Sequence, residues 1–417
     1  MIKKIALACT LFAVSVFTLC ASEELPKTLL PKPTGEYQIA TQKLFITDSL
    51  RKEKFTSRRK YREIYVKVWY PVHAEGEYEY EFFLNDYPSK VVADIFKSVG
   101  LDRDLVDLIK LTQTHSLSED FELPSGQKFP VILFNPGFYF GMSDFYTAII
   151  ENLASHGYIV CSINHPYEQP YVESSGKGAY MKRKKAQLAY LPLFLMEKFR
   201  SFKIDTDEEI EATTRLYLKK LKRFDKILRR WTADNEFFIS YLEKMNSSPT
   251  SSFLFAGMDL DRMGVLGQSV GGSVSGQLCL QKSERIKAGI NLDCFQFGDM
   301  IDEPLQTPFM LMQSEHYPMW NLGNSVVYRN HQSDFYRTTI KNARHFAFSD
   351  ASFLDLISAE DKKKMIGNIE GHETVQLINS YILEFFNSYL RGESSALMNE
   401  EIDTEIVKFE KFINHEE

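Results

Sequence analysis

Short apolar runs recur through the middle of the chain, each closed by glycine, proline or a polar turn, and a helical stripe lies between the first two. Phe129 to Phe134 is such a run, stopped by Asn135-Pro136-Gly137. From Asp144 to His156 the apolar residues Phe145, Ala148, Ile149, Leu153 and Ala154 share a helical face, and Gly157 supplies a C-terminal stop. Tyr158 to Ile163 is apolar again. A strand, a helix and a strand with short joints predict a parallel sheet, in which each strand is covered on both faces.

The same grammar resumes after a long interval. Residues 262–266, 287–292, 308–313 and 335–340 read as further strands, with a small-residue helix over 271–281. Val375, Ile378, Ile382, Phe385, Phe386 and Tyr389 mark a last amphipathic helix stopped by Gly392. Between the two blocks, residues 177–246 are charged and helical, with Pro192 as a break. In that stretch Ile210, Tyr217, Leu221, Phe224, Ile227, Leu228 and Trp231 fall on one face. The pattern therefore predicts an α/β fold, a mainly parallel central sheet flanked by helices, with a helical lid-like insertion at about 170–250. Upstream, Ile64 to Tyr70 alternates and reads as an early strand ended by Pro71. Residues 75–125 mix short helical patterns with loops, and 23–60, polar and punctuated by proline, read as an extended lead-in to a domain over 61–417.

Residues 1–22 have a different character. Lys3 and Lys4 precede an uncharged stretch from Ile5 to Leu19, and Cys20-Ala21-Ser22 supplies small residues before Glu23. This is the layout of a signal peptide for export to the periplasm or the exterior, with lipid attachment at Cys20 as a variant. The apolar part is shorter than the ~20 residues that span a bilayer comfortably. With 49 basic and 56 acidic residues the net charge is −7, which gives no support for nucleic-acid binding. Beyond Cys9 and Cys20 only Cys161, Cys279 and Cys294 remain, too few for a disulfide framework, and no Cys or His spacing suits zinc.

Gly267-Gln268-Ser269-Val270-Gly271 carries the chemistry. A G-x-S-x-G sequence between an apolar strand and a small-residue helix is the setting of a nucleophile elbow, where small residues let the chain turn sharply and project the serine. Serine needs a base, and in the α/β-hydrolase order the acid and then the histidine follow it. His345 lies in a loop just beyond the 335–340 strand, and is favoured over His316, His331, His372 and His415. Asp293 directly follows a strand and is favoured as the acid over Glu315 and Asp299. The oxyanion hole calls for two backbone N–H groups, assigned to Val270 and to Phe138, with Tyr139 next. His156 reads as a helix-end residue whose positive charge complements the helix dipole, and His165 as a candidate pocket residue. Met181 to Lys185 followed by Leu188 to Phe199 sets a basic stretch beside an apolar one, fitting a lid helix with a solvated end or contact with an anionic membrane surface.

Five segments together resemble the plasma-type (group VII) platelet-activating-factor acetylhydrolase family of α/β-hydrolases: 134–138, 152–158, 264–272, 290–293 and 344–350. The likeness covers roughly 60–390. It implies a calcium-independent Ser-Asp-His hydrolase that removes short or oxidised acyl chains from phospholipids, with the acid at Asp293 and no metal or organic cofactor. Two positions depart from the family pattern, Pro136 before Gly137 and Gln268 before Ser269, where the family usually has histidine. They bear on the substrate more than on the mechanism. A general carboxylesterase, lipase or peptidase of the same fold, and a catalytically silent binding protein, are the alternatives. The partners implied are a small ester or a phospholipid.

Overall fold

The computed structural model describes residues 30–100, 105–119, 121–197, 206–248, 252–353 and 358–413, the side chains of 193–197 excepted. The leader, Cys20 and His415 lie outside them. The strands are β1 Gln38–Lys52, β2 Tyr61–Val72, β3 Tyr80–Phe82, β4 Gln113–Leu117, β5 Phe129–Asn135, β6 Ile159–Asn164, β7 Tyr171–Val172, β8 Ala179–Tyr180, β9 Met258–Gln268, β10 Ile286–Leu292, β11 Phe309–Ser314, β12 Phe335–Ile340, β13 Ile402–Asp403 and β14 Val407–Phe412. The helices are α1 Ser89–Ser98, α2 Leu105–Lys110, α3 Thr147–Ser155, α4 Arg183–Glu197, α5 Asp207–Lys220, α6 Lys222–Asn246, α7 Phe253–Ala256, α8 Val270–Gln281, α9 Pro318–Val327, α10 Ala359–Ile366 and α11 Gly371–Phe386.

Twelve strands form one sheet in the order β13-β14-β12-β11-β10-β9-β5-β6-β2-β1-β4-β3. The six from β6 to β12 that make its centre run parallel, while β2 and β14 flank them antiparallel. The apolar runs explain this placement. Val131 and Leu133 enter one core with Phe224, Trp231 and Phe238 of the insertion, whereas Ile132 and Phe134 enter the opposite core with Ile149 and Phe385. Successive residues face opposite sides, so a strand apolar at every position needs a helical layer on each.

Three features differ from the sequence reading. Residues 38–52 are not a lead-in but a long strand paired with β2 from Gln38↔Val72 to Asp48↔Arg62. Their alternation is real, with Ile46 and Asp48 buried and Lys43, Phe45 and Thr47 exposed, but polar side chains disguise it. Pro192 does not break its helix, which continues through it to Glu197. A proline there leaves the Leu188 carbonyl without its backbone donor. Arg223 of α6 supplies one, Nη1 to O at 2.9 Å. Residues 143–146 form a single 3-10 turn before α3 rather than its first turn.

The insertion is fastened to the sheet through a buried charge cluster. Asp234 of α6 accepts from Arg62 of β2 at 2.7 and 3.1 Å, pairs with Arg51 of β1 at 2.9 Å, and meets His165 Nδ1 at 2.8 Å. Burial works against the Asp234 carboxylate, but Arg62 and the His165 hydrogen bond outweigh it and hold its pKa well below the usual range. A carboxylate with a depressed pKa contributes stability above its unfolded value, ~3.9, and loses that contribution as pH falls toward the folded value. We expect Asp234→Ala to cost about 3–5 kcal/mol at pH 7, since it strands two guanidinium groups. Denaturant titrations should show the gap between variant and wild type shrinking below about pH 4; a gap of the same size at pH 3 would contradict it.

Candidate active site

Because the six central strands are parallel, their carboxyl ends lie along one edge, and the chemistry-bearing residues gather there. Ser269 is the single residue between β9 and α8, with φ 56° and ψ −134°, a backbone state costly for a residue with a Cβ. Its neighbours explain how the turn closes. A Cβ on Gly267 would lie 2.3 Å from the Gly271 carbonyl group, and one on Gly271 would lie 2.0 Å from the Asn135 oxygen. The Ser269 amide donates to the Leu292 carbonyl at 2.9 Å, which pins the turn to the end of β10.

Asp293 follows β10 directly, also at positive φ, 53°. Its buried carboxylate accepts from the Ser314 amide at 2.7 Å and the Ser314 hydroxyl at 3.1 Å, and faces His345 Nδ1 at 2.8 Å. The carboxylate can only accept, so Nδ1 carries the proton and Nε2 the lone pair. His345 opens a 3-10 turn beyond β12, its ring lying edge-on to Tyr317 and Trp320. Asp350, five residues on, holds that segment in place by accepting from the amides of Thr147 and Ala148 at the start of α3, at 2.6 and 3.2 Å. The group that meets Nε2 is the Gln268 carboxamide at 3.2 Å rather than the Ser269 hydroxyl. Ser269, Asp293 and His345 are thus brought to one place, with the Asp–His contact made and the Ser–His hydrogen bond not formed.

The rival residues lie elsewhere. His316 packs at a tilt against Tyr317 and lines a shallow cavity of about 240 Å³ with Glu315 and Arg344. Glu315 accepts from the Asn342 amide, and Asp299 pairs with Arg229. His331 binds the Tyr328 carbonyl, and His372 packs on Phe353. His156 does sit at the end of α3, where burial and then Arg391 lower its pKa and so work against the helix-end cation read from the sequence. His165 is wholly enclosed. Its Nε2 lies 3.2 Å from the Asn135 side chain, and Trp231 stacks on its ring at 4.0 Å. With the mutual bonds of Asn135 and Asn235, it supports the end of β5 from behind.

The loop after β5 begins with the amides of Gly137, Phe138 and Tyr139. Gly137 donates to the Tyr146 hydroxyl at 3.1 Å and Tyr139 to the Glu168 carbonyl at 3.4 Å, which leaves Phe138 uncommitted. Val270 stands at the first position of α8, where an N–H has no partner within its helix. The Phe138 ring packs against Tyr190 of α4 at 5.5 Å and against Phe224 and Trp231 of α6 at 5.8 and 6.3 Å. The insertion therefore stands over this loop. Leu188 and Leu191 of α4 face outward, each 48% exposed, while Tyr190 turns inward onto the Phe138 ring. The side chains of Leu193, Phe194 and Phe199 lie outside the described residues. Sequence reasoning missed Tyr146 and Ser314. Ser314 had a positional signal, as the last residue of a strand at the same edge; Tyr146 had none.

Comparison with known proteins bears on the family and the fold. A sequence model of the family described as platelet-activating factor acetylhydrolase, isoform II, matches residues 23–403. The platelet-activating factor acetylhydrolase of Canis lupus familiaris is 22% identical over 91% of this chain and 81% of its own length. That of Cavia porcellus is 23% identical over 64% of this chain, a match that spans only 59% of the guinea-pig protein. Among solved structures, a ferulic acid esterase from Streptomyces cinnamoneus superposes with a TM-score of 0.68 over 92% of this chain and 99% of the other at 21% identity, a likeness of fold. The family match over nearly the whole chain, on a sheet of α/β-hydrolase topology, places this protein in the platelet-activating factor acetylhydrolase, isoform II, family.

Proposed function

We propose that this protein is an exported serine esterase that removes short or oxidised acyl chains from phospholipids through an acyl-enzyme. The observation that carries the reading is the Asp293–His345 contact of 2.8 Å beside the strained turn that presents Ser269. In this mechanism Ser269 Oγ rotates toward His345 Nε2, gives up its proton and attacks the ester carbonyl. Asp293 stabilises the imidazolium that results, and the Phe138 and Val270 amides receive the oxyanion. The imidazolium then protonates the leaving alcohol, and water repeats the sequence to free the acid. Aromatic side chains close over the loop that carries Phe138, which favours a small acyl group. A relative from Arthroderma benhamiae named a probable 1-alkyl-2-acetylglycerophosphocholine esterase supports the phospholipid head. Export rests on the leader pattern of residues 1–22.

Contact with a lipid surface is part of the proposal. Leu188 and Leu191 form an outward apolar pair on α4, beside the exposed Lys182, Arg183 and Lys184. Among the described residues no helix is long and apolar enough to cross a membrane, so the contact would be peripheral.

Ser269→Ala should lower kcat on a soluble acetate ester by about 10⁴-fold or more with the thermal unfolding midpoint retained. Substantial residual turnover in the purified variant would move the nucleophile elsewhere. Tyr190→Ala opens the aromatic wall, and the ratio of kcat/KM for an eight-carbon acyl ester over the acetate should rise by about tenfold. An unchanged ratio would remove α4 from the acyl pocket. Replacing both Leu188 and Leu191 by Ser should weaken partition onto anionic vesicles by at least about tenfold, leaving turnover of the acetate ester intact. Equal partition of variant and wild type in a flotation assay would discard the membrane face.

A further inference from the structure

Gln268 occupies the position before the nucleophile, and its side chain does more than fill the turn. A buried chain of hydrogen bonds runs from the loop after β5 to the base. The Gly137 amide donates to the Tyr146 hydroxyl at 3.1 Å, and that hydroxyl donates to Gln268 Oε1 at 3.0 Å. Gln268 Nε2 donates to the His345 carbonyl at 3.2 Å and faces His345 Nε2, also at 3.2 Å. Tyr146 and Gln268 are 4% and 3% exposed, so no bulk water competes for these groups.

Only one assignment of polarity satisfies every member. Tyr146 has a single hydrogen and already accepts from Gly137, so its hydrogen must go to Oε1. Burial pushes its phenol pKa well up, keeping it a donor across the working pH range. The His345 carbonyl can only accept, which independently turns the NH₂ of Gln268 toward the histidine. Asp293 takes the Nδ1 proton, which leaves a lone pair on Nε2 to receive the second N–H of Gln268. The chain also passes beside the nucleophile, for a Cβ on Gly137 would lie 2.8 Å from Gln268 Oε1 and 3.4 Å from Ser269 Cβ.

Building on the reading of His345 as the base, we infer that Gln268 is a positioning residue that holds the Nε2 lone pair in the resting enzyme and, through Tyr146, couples the base to the oxyanion loop. Its N–H stabilises the neutral imidazole and cannot pair with the protonated one, because Nε2–H and the carboxamide N–H are both donors. The Gln268 contact gives way before Ser269 delivers its proton to the same lone pair, and the protonated base is then free to turn toward the leaving group. The other groups that face the ring are Asp293 at Nδ1 and the edges of Tyr317, Trp320 and Phe346, and of these only Asp293 is charged. The contact from Gln268 is therefore the neutral-form partner in this set.

The test is the pH profile of kcat/KM for a soluble acetate ester, with Ser269→Ala as the control for the catalytic reading. In Gln268→Met, which keeps the volume but removes the donor, the acidic limb should move to higher pH by about half to one unit. In Gln268→Glu the side chain accepts from Nε2–H and holds the base protonated, so the limb should move further and the rate at pH 7 should fall at least about tenfold. Tyr146→Phe frees the carboxamide to turn and should move the limb in the same direction by less. Thermal melts confirm that each variant is folded. Should Ser269→Ala be inactive and the acidic limb stay in place in both Gln268 variants, Gln268 is only a packing residue and the inference is overturned. Activity in Ser269→Ala would instead overturn the catalytic reading beneath it.

Discussion

Everything at the catalytic edge depends on one tight approach, that of the β5 carboxyl end to the first turn of α8. The Asn135 oxygen lies where any side chain on residue 271 would have to be, so glycine there is a condition of closure. With the backbones this close, Ser269 is driven to positive φ and the loop that carries Phe138 runs directly beside it. The strain is sustained because β9 sits between β5 and β10, with Gly267 in register with both Asn135 and Asn291. Ser269 and the loop proposed to receive the oxyanion are therefore set by a single contact between strand neighbours, not by two independent loops.

The insertion is part of the same construction. Its longest helix reaches the end of β5 through Asn235 and Asn135, and reaches the outer strands through Asp234, Arg62 and Arg51. The Asp234 carboxylate meets Arg62, Arg51 and His165, which is what permits charge at such depth. The same helix presents Phe224 and Trp231 to the Phe138 ring. Cover of the Phe138 ring and support of the β5 end thus come from one element, and a displacement of α6 would be felt at both.

Much of this was legible in the sequence because parallel strands buried on both faces leave an unbroken apolar signature. Phe129–Phe134 and the run before Gly267 stand out for that reason, and with them the positions of Ser269, Asp293 and His345 at strand ends. Strand β1 was hidden because its alternating positions are filled by Gln42, Lys43, Thr47 and Asp48, whose polarity masks the period. Pro192 misled because the donor that rescues its helix, Arg223, lies on another helix and leaves no local trace. The roles of Gln268 and Tyr146 were invisible for a related reason. A hydrogen bond between residues 122 positions apart is a property of the folded chain, although the unusual residue before Ser269 marked the place to look.

The central claim, that Ser269 is an activated nucleophile, is tested most directly by covalent trapping. The full-length protein would be treated with a fluorophosphonate at pH 7.5, and the adduct mapped by peptide mass spectrometry. The account predicts one phosphonyl group per chain, on Ser269, with labelling suppressed by a competing short-chain ester. An adduct on a different residue, or none while ester hydrolysis proceeds, would contradict it.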